Sequence, residues 1–201
     1  MARYGLVIDL KKCIGCMTCT IACKVENGTR PGVFWNIVKD QEFGKFPNVK
    51  RFFLSVQCAH CAEPPCVEVC PTGAGYKRDD GIVMIDYDKC VGCRYCIEAC
   101  PYGARYFNSE DAGYFGRELT AQEKIVYQNH QVGVPEKCTF CAHRLEQGKK
   151  PACVQSCVGK ARFFGDLDDP ESEVSRIIIS CDAQQLRQEL GTGPSIYYIY
   201  P

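Results

Sequence analysis

The sequence predicts an α+β fold in which short strands and short helices surround cysteine-rich loops. Three observations predict it. A cysteine quartet recurs four times in 201 residues. Segments typical of short helices that end at proline follow two of the quartets. Segments of alternating polarity, bounded by turn residues, lie between them. The length suits one sizeable domain or two small ones.

The cysteines organise the chain, because sixteen of the seventeen fall into four quartets. In order, the quartets are Cys13, Cys16, Cys19 and Cys23; Cys58, Cys61, Cys66 and Cys70; Cys90, Cys93, Cys96 and Cys100; and Cys138, Cys141, Cys153 and Cys157. The first and third share the spacing C-x2-C-x2-C-x3-C, whereas the middle gap widens to four residues in the second and eleven in the fourth. Each quartet ends C-x3-C, so its last two thiols lie about one helical turn apart.

Regular elements are predicted around the quartets. The segments VEVCP and IEACP are typical of short helices that stop at Pro71 and Pro101. The segment GYKRDDGIVMID predicts a hairpin whose turn is Asp80-Gly81. Further strands are predicted at Tyr4–Asp9, Val49–Val56 and Arg162–Asp166. Quartet loop, short helix, strand, turn and strand together form a ferredoxin-like half-unit.

Two segments lie outside this repeat. Residues Asn108–Val134 form a polar insertion with weak strand character at Ile125–Tyr127. After Asp168 the sequence DDPESEVSRI begins like a helix, with Pro170 near its first turn. The final IYYIY predicts a short strand that follows a glycine-rich turn.

Composition excludes several classes of function. The 24 basic residues balance 24 acidic ones, so nothing global indicates a nucleic-acid partner or an anionic membrane. The apolar runs are too short to cross a bilayer, which predicts no direct membrane insertion. The first residues, MARYGLVIDL, lack the features of a secretory signal and of a twin-arginine signal. No nucleophile–base pair, phosphate loop or dinucleotide fingerprint is present, so no catalytic site is predicted.

The quartet spacing indicates 4Fe–4S clusters. Disulfides fit poorly, because the thiols are clustered along the chain and odd in number. Three closely spaced thiols can hold one face of a cubane cluster, while the fourth, on the following helix, points to a neighbouring cluster. Gly15 and Gly92 fit such crowded loops, which need a permissive backbone. One alternative is a zinc-organised interaction module, best supported at the fourth quartet, but three thiols within seven residues crowd a single tetrahedral ion. The other is a free polyferredoxin, against which the insertion and the tail argue because a minimal carrier needs neither.

Other side chains near the quartets carry weaker signals. Cations near a cluster raise its potential, but an ordinary solvated surface is the simpler expectation for each of the basic residues that flank the quartets. These residues are Lys24, Arg94, Lys137, Arg144, Lys160 and Arg162. His60 and His143 are expected to support the loops rather than to ligate. Cys181 is expected to be a buried apolar side chain, and Trp35 to belong to the core.

Four further motifs, together with the quartets, resemble those of a known family. They are CTFCAHR at Cys138–Arg144, PACV at Pro151–Val154, FGDLDDPES at Phe164–Ser172 and ELGTGP at Glu189–Pro194. They are similar to motifs of the four-cluster electron-transfer subunits of complex iron–sulfur molybdoenzymes, among them the dimethyl sulfoxide, polysulfide, thiosulfate and respiratory arsenate reductases. The resemblance covers nearly the whole chain and is weakest in the insertion.

The resemblance implies four 4Fe–4S clusters with crossed ligands and a nested fold. The implied ligand sets are Cys13, Cys16, Cys19 and Cys157; Cys138, Cys141, Cys153 and Cys23; Cys90, Cys93, Cys96 and Cys70; and Cys58, Cys61, Cys66 and Cys100. The implied fold has two ferredoxin-like modules. Residues 1–55 and 135–201 form the outer module. Residues 56–134, with the polar insertion 108–134, form an inner module inserted into it.

The resemblance also implies the partners. The Cys13 cluster would lie nearest a molybdenum or tungsten bis-pterin catalytic subunit. The Cys58 cluster would lie farthest out, toward a quinone-reactive membrane anchor or another electron carrier. With no export signal of its own, the chain would be periplasmic or cytoplasmic and reach a membrane only through its partners. The sequence departs from the family at Val158, where many relatives have proline, and in having no membrane helix before Pro201.

Overall fold

The computed structural model describes residues 2–201, which form a mixed α+β structure with small sheets, as predicted. In chain order the strands are β1 (Tyr4–Asp9), β2 (Asn36–Phe43), β3 (Lys50–Gln57), β4 (Gly75–Lys77), β5 (Val83–Ile85), β6 (Tyr106–Phe107), β7 (Pro135–Glu136), β8 (Arg162–Asp166), β9 (Gln184–Gln185) and β10 (Ile196–Ile199). The helices are α1 (Thr18–Asn27), α2 (Pro65–Glu68), α3 (Tyr95–Glu98), α4 (Ala121–Val126), α5 (Ala142–Leu145), α6 (Ala152–Gln155) and α7 (Glu173–Ser180). Short 3₁₀ turns lie at Tyr127–Asn129 and Gln188–Leu190.

A four-stranded sheet brings the two ends of the chain together. Its spatial order is β8-β1-β10-β9, with β1 parallel to β10 and antiparallel to β8. Strand β1 is buried on both faces, as a central strand should be. Leu6 and Ile8 pack into the main core, whereas Val7 packs on the other face against Val174 of α7. This sheet holds the first quartet beside the fourth.

Three two-stranded sheets complete the fold. Strands β2 and β3 form a long hairpin, and residues 39–51 at its far end are exposed. Strands β4 and β5 form the hairpin predicted around Asp80-Gly81. Strands β6 and β7 join the residues before the insertion to those after it. The predicted strands Tyr4–Asp9 and Arg162–Asp166 are confirmed, and the strand predicted at Val49–Val56 runs one residue further along the chain.

Short helices follow the second, third and fourth quartet loops, and all three end alike. Helices α2, α3 and α6 each end two residues before the last cysteine of their quartet. Helix α6 does so even though Val158, rather than proline, follows Cys157. The absence of proline therefore does not alter where this helix ends.

The insertion corrects one prediction. Residues Ile125–Tyr127 are not a strand, because helix α4 and the 3₁₀ turn after it occupy this stretch. Thr120 caps the helix: its Oγ1 accepts from the Glu123 amide, and the Glu123 carboxylate accepts from the Thr120 amide. This reciprocal capping box fixes the start of a helix and outweighs the β-branched residues inside it.

The tail largely follows prediction. Helix α7 starts at Glu173, later than the DDPESEVSRI segment suggests, because Ser172 supplies the cap by accepting from the Ser175 amide. The predicted final strand is β10. Among residues 2–201, no helix combines the length and the apolar character needed to cross a bilayer.

Candidate metal centres

The loops of the first and third quartets have the same backbone geometry. Gly15 and Gly92 both have φ of 68°, which an L side chain rarely adopts. Two residues further on, Met17 and Arg94 have φ of 59° and 67° and begin helices α1 and α3. A Cβ atom on Gly92 would lie 2.2 Å from the Gly133 carbonyl oxygen. The predicted need for glycine in these loops is confirmed.

Cysteines from different quartets line three cavities together, numbered here by the order in which they neighbour one another. Site 1 is lined by Cys13, Cys16, Cys19 and Cys157. Site 2 is lined by Cys23, Cys138, Cys141 and Cys153. Site 3 is lined by Cys58, Cys61, Cys66 and Cys100. In each case three thiols come from one quartet and the fourth comes from another.

The remaining cysteines, Cys70, Cys90, Cys93 and Cys96, are called site 4. Burial raises the pKa of the Cys96 thiol, and Cys90 and Cys93 lie close enough to raise it further. The Cys70 sulfur accepts from the Gly75 amide at 3.4 Å. Helices α2 and α3, which precede Cys70 and Cys100, pack against each other. Within the described part of the chain, charge interactions relate three members of site 4, and Cys70 contacts its own loop.

The cavities fit a group larger than one ion that accepts hydrogen bonds. In residues 2–201, no three Cys, His, Asp or Glu side chains close around a single metal ion. Each cavity also has a wall residue with a buried nitrogen that finds no hydrogen-bond partner among these residues: Arg162 Nε at site 1, Gln57 Nε2 at site 2 and Arg105 Nε at site 3. Cluster sulfurs are acceptors for such N–H groups.

The thiols of site 2 and site 3 lie in the interior. Burial raises the pKa of Cys138 and Cys23 well above the usual range. Burial, together with neighbouring thiols, also raises the pKa of Cys141 to about 11 and that of Cys61 to about 12. Thiolates at these positions therefore need compensating positive charge, since a buried anion without a partner is costly.

Three cations are buried among these thiols. Lys137 and Arg162 were expected on the surface, but only 1% and 6% of their surface is exposed, so that expectation is wrong for both. Arg105, which sequence reasoning missed, is 4% exposed, and its Nη2 donates to Cys66 Sγ at 2.9 Å. Burial lowers the pKa of Arg105, but the charges of Cys66, Cys58 and Cys96 outweigh it and raise the pKa.

The other four basic residues near the quartets stay closer to the surface. Arg94 and Lys160 are exposed, as expected. Lys24 is half-buried, and its Nζ donates to the carbonyls of residues 29, 30 and 33. Arg144 is half-buried and pairs with Glu26 at 2.7 Å. Lys24 and Arg144 therefore brace local structure.

His60 is a buried support between two cysteines of site 3. Its Nδ1 accepts from the Val83 amide at 3.0 Å, so the neutral ring carries its proton on Nε2. Burial, Lys137 and Arg105 hold its pKa well below the usual range. The Nε2 atom is buried and has no hydrogen-bond partner among residues 2–201. His143 is exposed and contacts Glu26 instead.

The sites follow one another in a line, which corrects the order that the resemblance implied. Cys138 of site 2 is close enough to Cys58 of site 3 for their charges to interact. Arg105 of site 3 acts in turn on Cys96 of site 4. Site 3 is therefore internal, with buried thiols, and site 4, where Cys93 is exposed, lies at the end. The expectation that the Cys58 cluster lies farthest out is wrong. Lys137, the residue before Cys138 of site 2, donates its Nζ to the carbonyl of Val83, which lines site 3, so site 3 lies next to site 2.

Two remaining expectations have opposite outcomes. Trp35 belongs to the core, and its Nε1 donates to the buried carboxylate of Glu136 at 3.3 Å. Cys181 is exposed rather than buried, because it follows the last turn of α7 on its outer side.

Small sheets, short helices and thiol-lined cavities that share cysteines between quartets define an iron–sulfur electron-transfer protein. Comparison with known proteins agrees. A model for a 4Fe–4S dicluster domain matches residues 49–115 and 122–167. A second model of the same description matches residues 12–74. Since both matched models are iron–sulfur domains, they favour iron over zinc.

Named relatives cover almost all of the chain. A candidate iron–sulfur subunit of a dimethyl sulfoxide reductase from Halobacterium salinarum is 49% identical, over 99% of this chain and 79% of the relative. A selenate reductase subunit from Mesobacillus selenatarsenatis is 47% identical, over 98% of this chain and 72% of the relative. The arsenate respiratory reductase iron–sulfur subunit from a Shewanella species is 39% identical, over 98% of this chain and 96% of the relative. The chain belongs to the family of four-cluster iron–sulfur subunits of the complex iron–sulfur molybdoenzymes. It is a non-catalytic electron-transfer subunit that carries four 4Fe–4S clusters.

Proposed function

We propose that this chain relays single electrons between a molybdenum or tungsten bis-pterin catalytic subunit and a second partner, either a quinone-reactive membrane subunit or another carrier. The relatives from Mesobacillus and Shewanella are named as subunits of a selenate reductase and an arsenate reductase. Their match over nearly the whole chain supports the same role here. The substrate of the complex is set by the catalytic partner.

The proposed ligands are the four cysteines of each site. Cys13, Cys16, Cys19 and Cys157 would hold the first cluster, and site 2, site 3 and site 4 would hold the other three. The observation that carries this assignment is the lining of site 1, site 2 and site 3, in which every cavity draws three thiols from one quartet and one from another. For site 4 the assignment of Cys70 follows by elimination.

The protein would contribute positions, hydrogen bonds and exclusion of water. When bound, the clusters supply one-electron oxidation and reduction. Gln57, Arg105, Arg162 and His60 would donate buried N–H groups toward the cluster sulfurs. The burial of the thiols in site 2 and site 3 would keep water away from the middle of the line. No substrate chemistry is assigned to these residues.

The nested arrangement of modules is part of the proposal. Residues 1–55 and 135–201 would form the outer module, supported by the pairing of β1 with β8 and the packing of α1 on α6. Residues 56–134 would form the inner module, supported by the β4–β5 hairpin and the packing of α2 on α3.

The two ends of the line would face the partners. Cys16 of site 1 and Cys93 of site 4 are the exposed thiols among the proposed ligands. Site 1 would face the catalytic subunit and site 4 the membrane subunit or carrier. Any attachment to a membrane, on the periplasmic or the cytoplasmic side, would then pass through a partner.

Iron content tests the cofactor assignment. The anaerobically purified complex should contain about sixteen iron and sixteen sulfide per copy of this chain, beyond those of the partner. Fewer than about twelve iron in fully reconstituted chain would contradict four clusters. Co-purification tests the relay role, because a chain that elutes alone after gentle lysis behaves as a free polyferredoxin.

Serine variants test the crossed ligands. Cys157→Ser and Cys13→Ser should alter the same electron paramagnetic resonance signal, since both thiols line site 1. Cys141→Ser should alter a different signal, shared with Cys23→Ser. If Cys157→Ser instead matched Cys141→Ser, the crossing between the first and fourth quartets would be wrong.

A further inference from the structure

The three buried cations found among the thiols have no carboxylate partners. Within residues 2–201, the salt bridges join other groups, and none involves Arg105, Lys137 or Arg162. A buried cation without a counter-charge is costly, so something at these positions must compensate it. The nearest negative groups are the cysteine sulfurs.

Arg162 bridges the walls of site 1 and site 2. Its Nη1 donates to Ser55 Oγ at 2.6 Å, and Ser55 lines site 1. Its Nη2 donates to Gln57 Oε1 at 2.8 Å, and Gln57 lines site 2. The guanidinium is thus fixed on both sides of the boundary between these two cavities.

Lys137 bridges site 2 and site 3 in the same way. Its Nζ donates to the carbonyl of Cys138, a wall residue of site 2, at 2.9 Å. The same ammonium donates to the carbonyl of Val83, which lines site 3. Both acceptors are neutral backbone groups, so they orient the ammonium without cancelling its charge.

Arg105 stands between site 3 and site 4. It lines site 3, and its Nη2 donates to Cys66 Sγ at 2.9 Å. The positive charge of the same guanidinium also lies close enough to Cys96 of site 4 to act on that thiol. The line of four sites therefore has three junctions, and each junction holds one buried cation.

We propose that Arg162, Lys137 and Arg105 are tuning residues, each of which raises the reduction potentials of the two clusters that it separates. The proposal rests on the proposed function and its ligand sets. Adding an electron to a cluster makes it more negative, and a cation in a poorly solvated interior stabilises that form. When an electron leaves one cluster for its neighbour, the first is oxidised, the second is reduced and the charge of the pair is unchanged. A cation shared by both stabilises the electron on either side and creates no trap.

The test compares a buried cation with an exposed one near the same site. Arg105→Gln removes the charge and keeps polar character, Arg105→Lys keeps the charge, and Arg94→Gln removes an exposed cation next to Cys93. Each variant is purified as the complex with its partner and titrated with mediators under electron paramagnetic resonance. Signals are assigned to sites with the serine variants.

Arg105→Gln should lower the potentials of site 3 and site 4. At a fixed ambient potential, the ratio of reduced to oxidised cluster should fall at least tenfold, which is about 59 mV for a one-electron couple. The ratios at site 1 and site 2 should change by less than about twofold, because distance and intervening charge screen them. Arg105→Lys should keep most of the effect, and Arg94→Gln should leave all four ratios within about twofold.

Several results would overturn the proposal. They are an unchanged potential at site 3 and site 4 in Arg105→Gln, an equal shift of all four signals, or an equal shift in Arg94→Gln. If Arg105→Gln loses iron, the same comparison uses Arg162→Gln with the exposed Lys160→Gln as control and expects shifts at site 1 and site 2. Loss of iron from the glutamine and lysine variants alike would also overturn it, because shape rather than charge would then be required. Failure of the wild-type complex to show four cluster signals would instead contradict the proposed function itself.

Discussion

The two middle sites differ from the two end sites in how their thiols meet solvent. At site 2 all four thiols are buried, and at site 3 three are buried, with Cys100 half-buried. At site 1 and site 4 none of the thiols is buried, and Cys16 and Cys93 are exposed. Exposed apolar side chains flank both end thiols, with Ile14 61% exposed beside Cys16 and Val91 67% exposed beside Cys93.

This difference separates two tasks along one line of cofactors. In the proposed relay the end sites exchange electrons with other proteins, and they accordingly lie near the surface beside apolar side chains that a partner can cover. The middle sites would exchange electrons only with their neighbours, so their burial does not hinder this transfer. The buried cations lie where water cannot solvate the negative charge of the thiolates.

Loss of a ligand should break the middle sites more severely than the ends. Cys153→Ser at site 2 should abolish one cluster entirely and lower the yield of folded complex, since no water can replace a buried thiolate. Cys93→Ser at site 4 should retain an altered cluster, because solvent can supply a ligand at an exposed position. Iron per chain and the resonance spectrum measure both. Equal losses from the two variants would contradict the contrast between middle and end.

Chelation of iron should proceed in two phases. The clusters of site 1 and site 4 should lose iron first, and those of site 2 and site 3 later, because a chelator reaches exposed thiols without unfolding the chain. Iron release to a coloured chelator under anaerobic conditions, followed alongside the resonance signals, gives the order. The partner subunits must be removed for this experiment, since they would cover the ends. Release of iron in a single phase would contradict the difference between end sites and middle sites.

A hydrogen bond beside a middle site should contribute more to the free energy of unfolding than a side chain on the exposed hairpin. Trp35 lines site 2 and donates to buried Glu136, so Trp35→Phe should lower the free energy of unfolding by about 1–3 kcal/mol. Phe46, at the tip of the β2–β3 hairpin, is 91% exposed, and Phe46→Ser should change it by less than about 0.5 kcal/mol. Denaturant titration of the anaerobic holo-protein measures both. A larger loss from Phe46→Ser would reverse the expectation.

The same buried carboxylate gives a smaller, pH-dependent effect. Burial lowers the pKa of His130, but its hydrogen bond to Glu136 and the charge of that carboxylate outweigh burial and raise it. The resulting stability is fully present below the unfolded pKa of about 6.5 and is lost as pH rises through the higher folded value. The unfolding midpoint should therefore fall as pH rises above about 6.5, and less steeply in His130→Gln. An equal slope in both proteins would contradict this.

Much of the local structure could be predicted from the sequence. Turn residues such as Asp80-Gly81 and the alternation in Tyr4–Asp9 report directly on the backbone, and quartet spacing reports on loops that hold clusters. The capping box of Thr120 and Glu123 was also present as a T-x-x-E pattern, and using it would have avoided the false strand at Ile125–Tyr127.

What could not be predicted depends on packing between distant parts of the chain. Arg105 carries no spacing signal, and it reaches Cys66 only because β6 and the third quartet fold back over the second. Lys137 looks like any lysine beside a cysteine until its ammonium is found at Val83, 54 residues away. The order of the sites and the burial of these cations both arise from such contacts, which no local pattern encodes.

The sharing of cysteines between distant quartets also predicts an order in which the clusters are inserted. The cysteines of site 3 and site 4 all lie between residues 58 and 100, so their surroundings are synthesised as one stretch. Site 1 and site 2 need Cys13 and Cys23 to meet partners beyond residue 137, and β1 gains its parallel neighbour only when Ile196–Ile199 have been made. If the proposed ligand sets are right, we expect the clusters of site 1 and site 2 to be inserted after those of site 3 and site 4. A chain cut short before residue 196 should then bind clusters at site 3 and site 4 only.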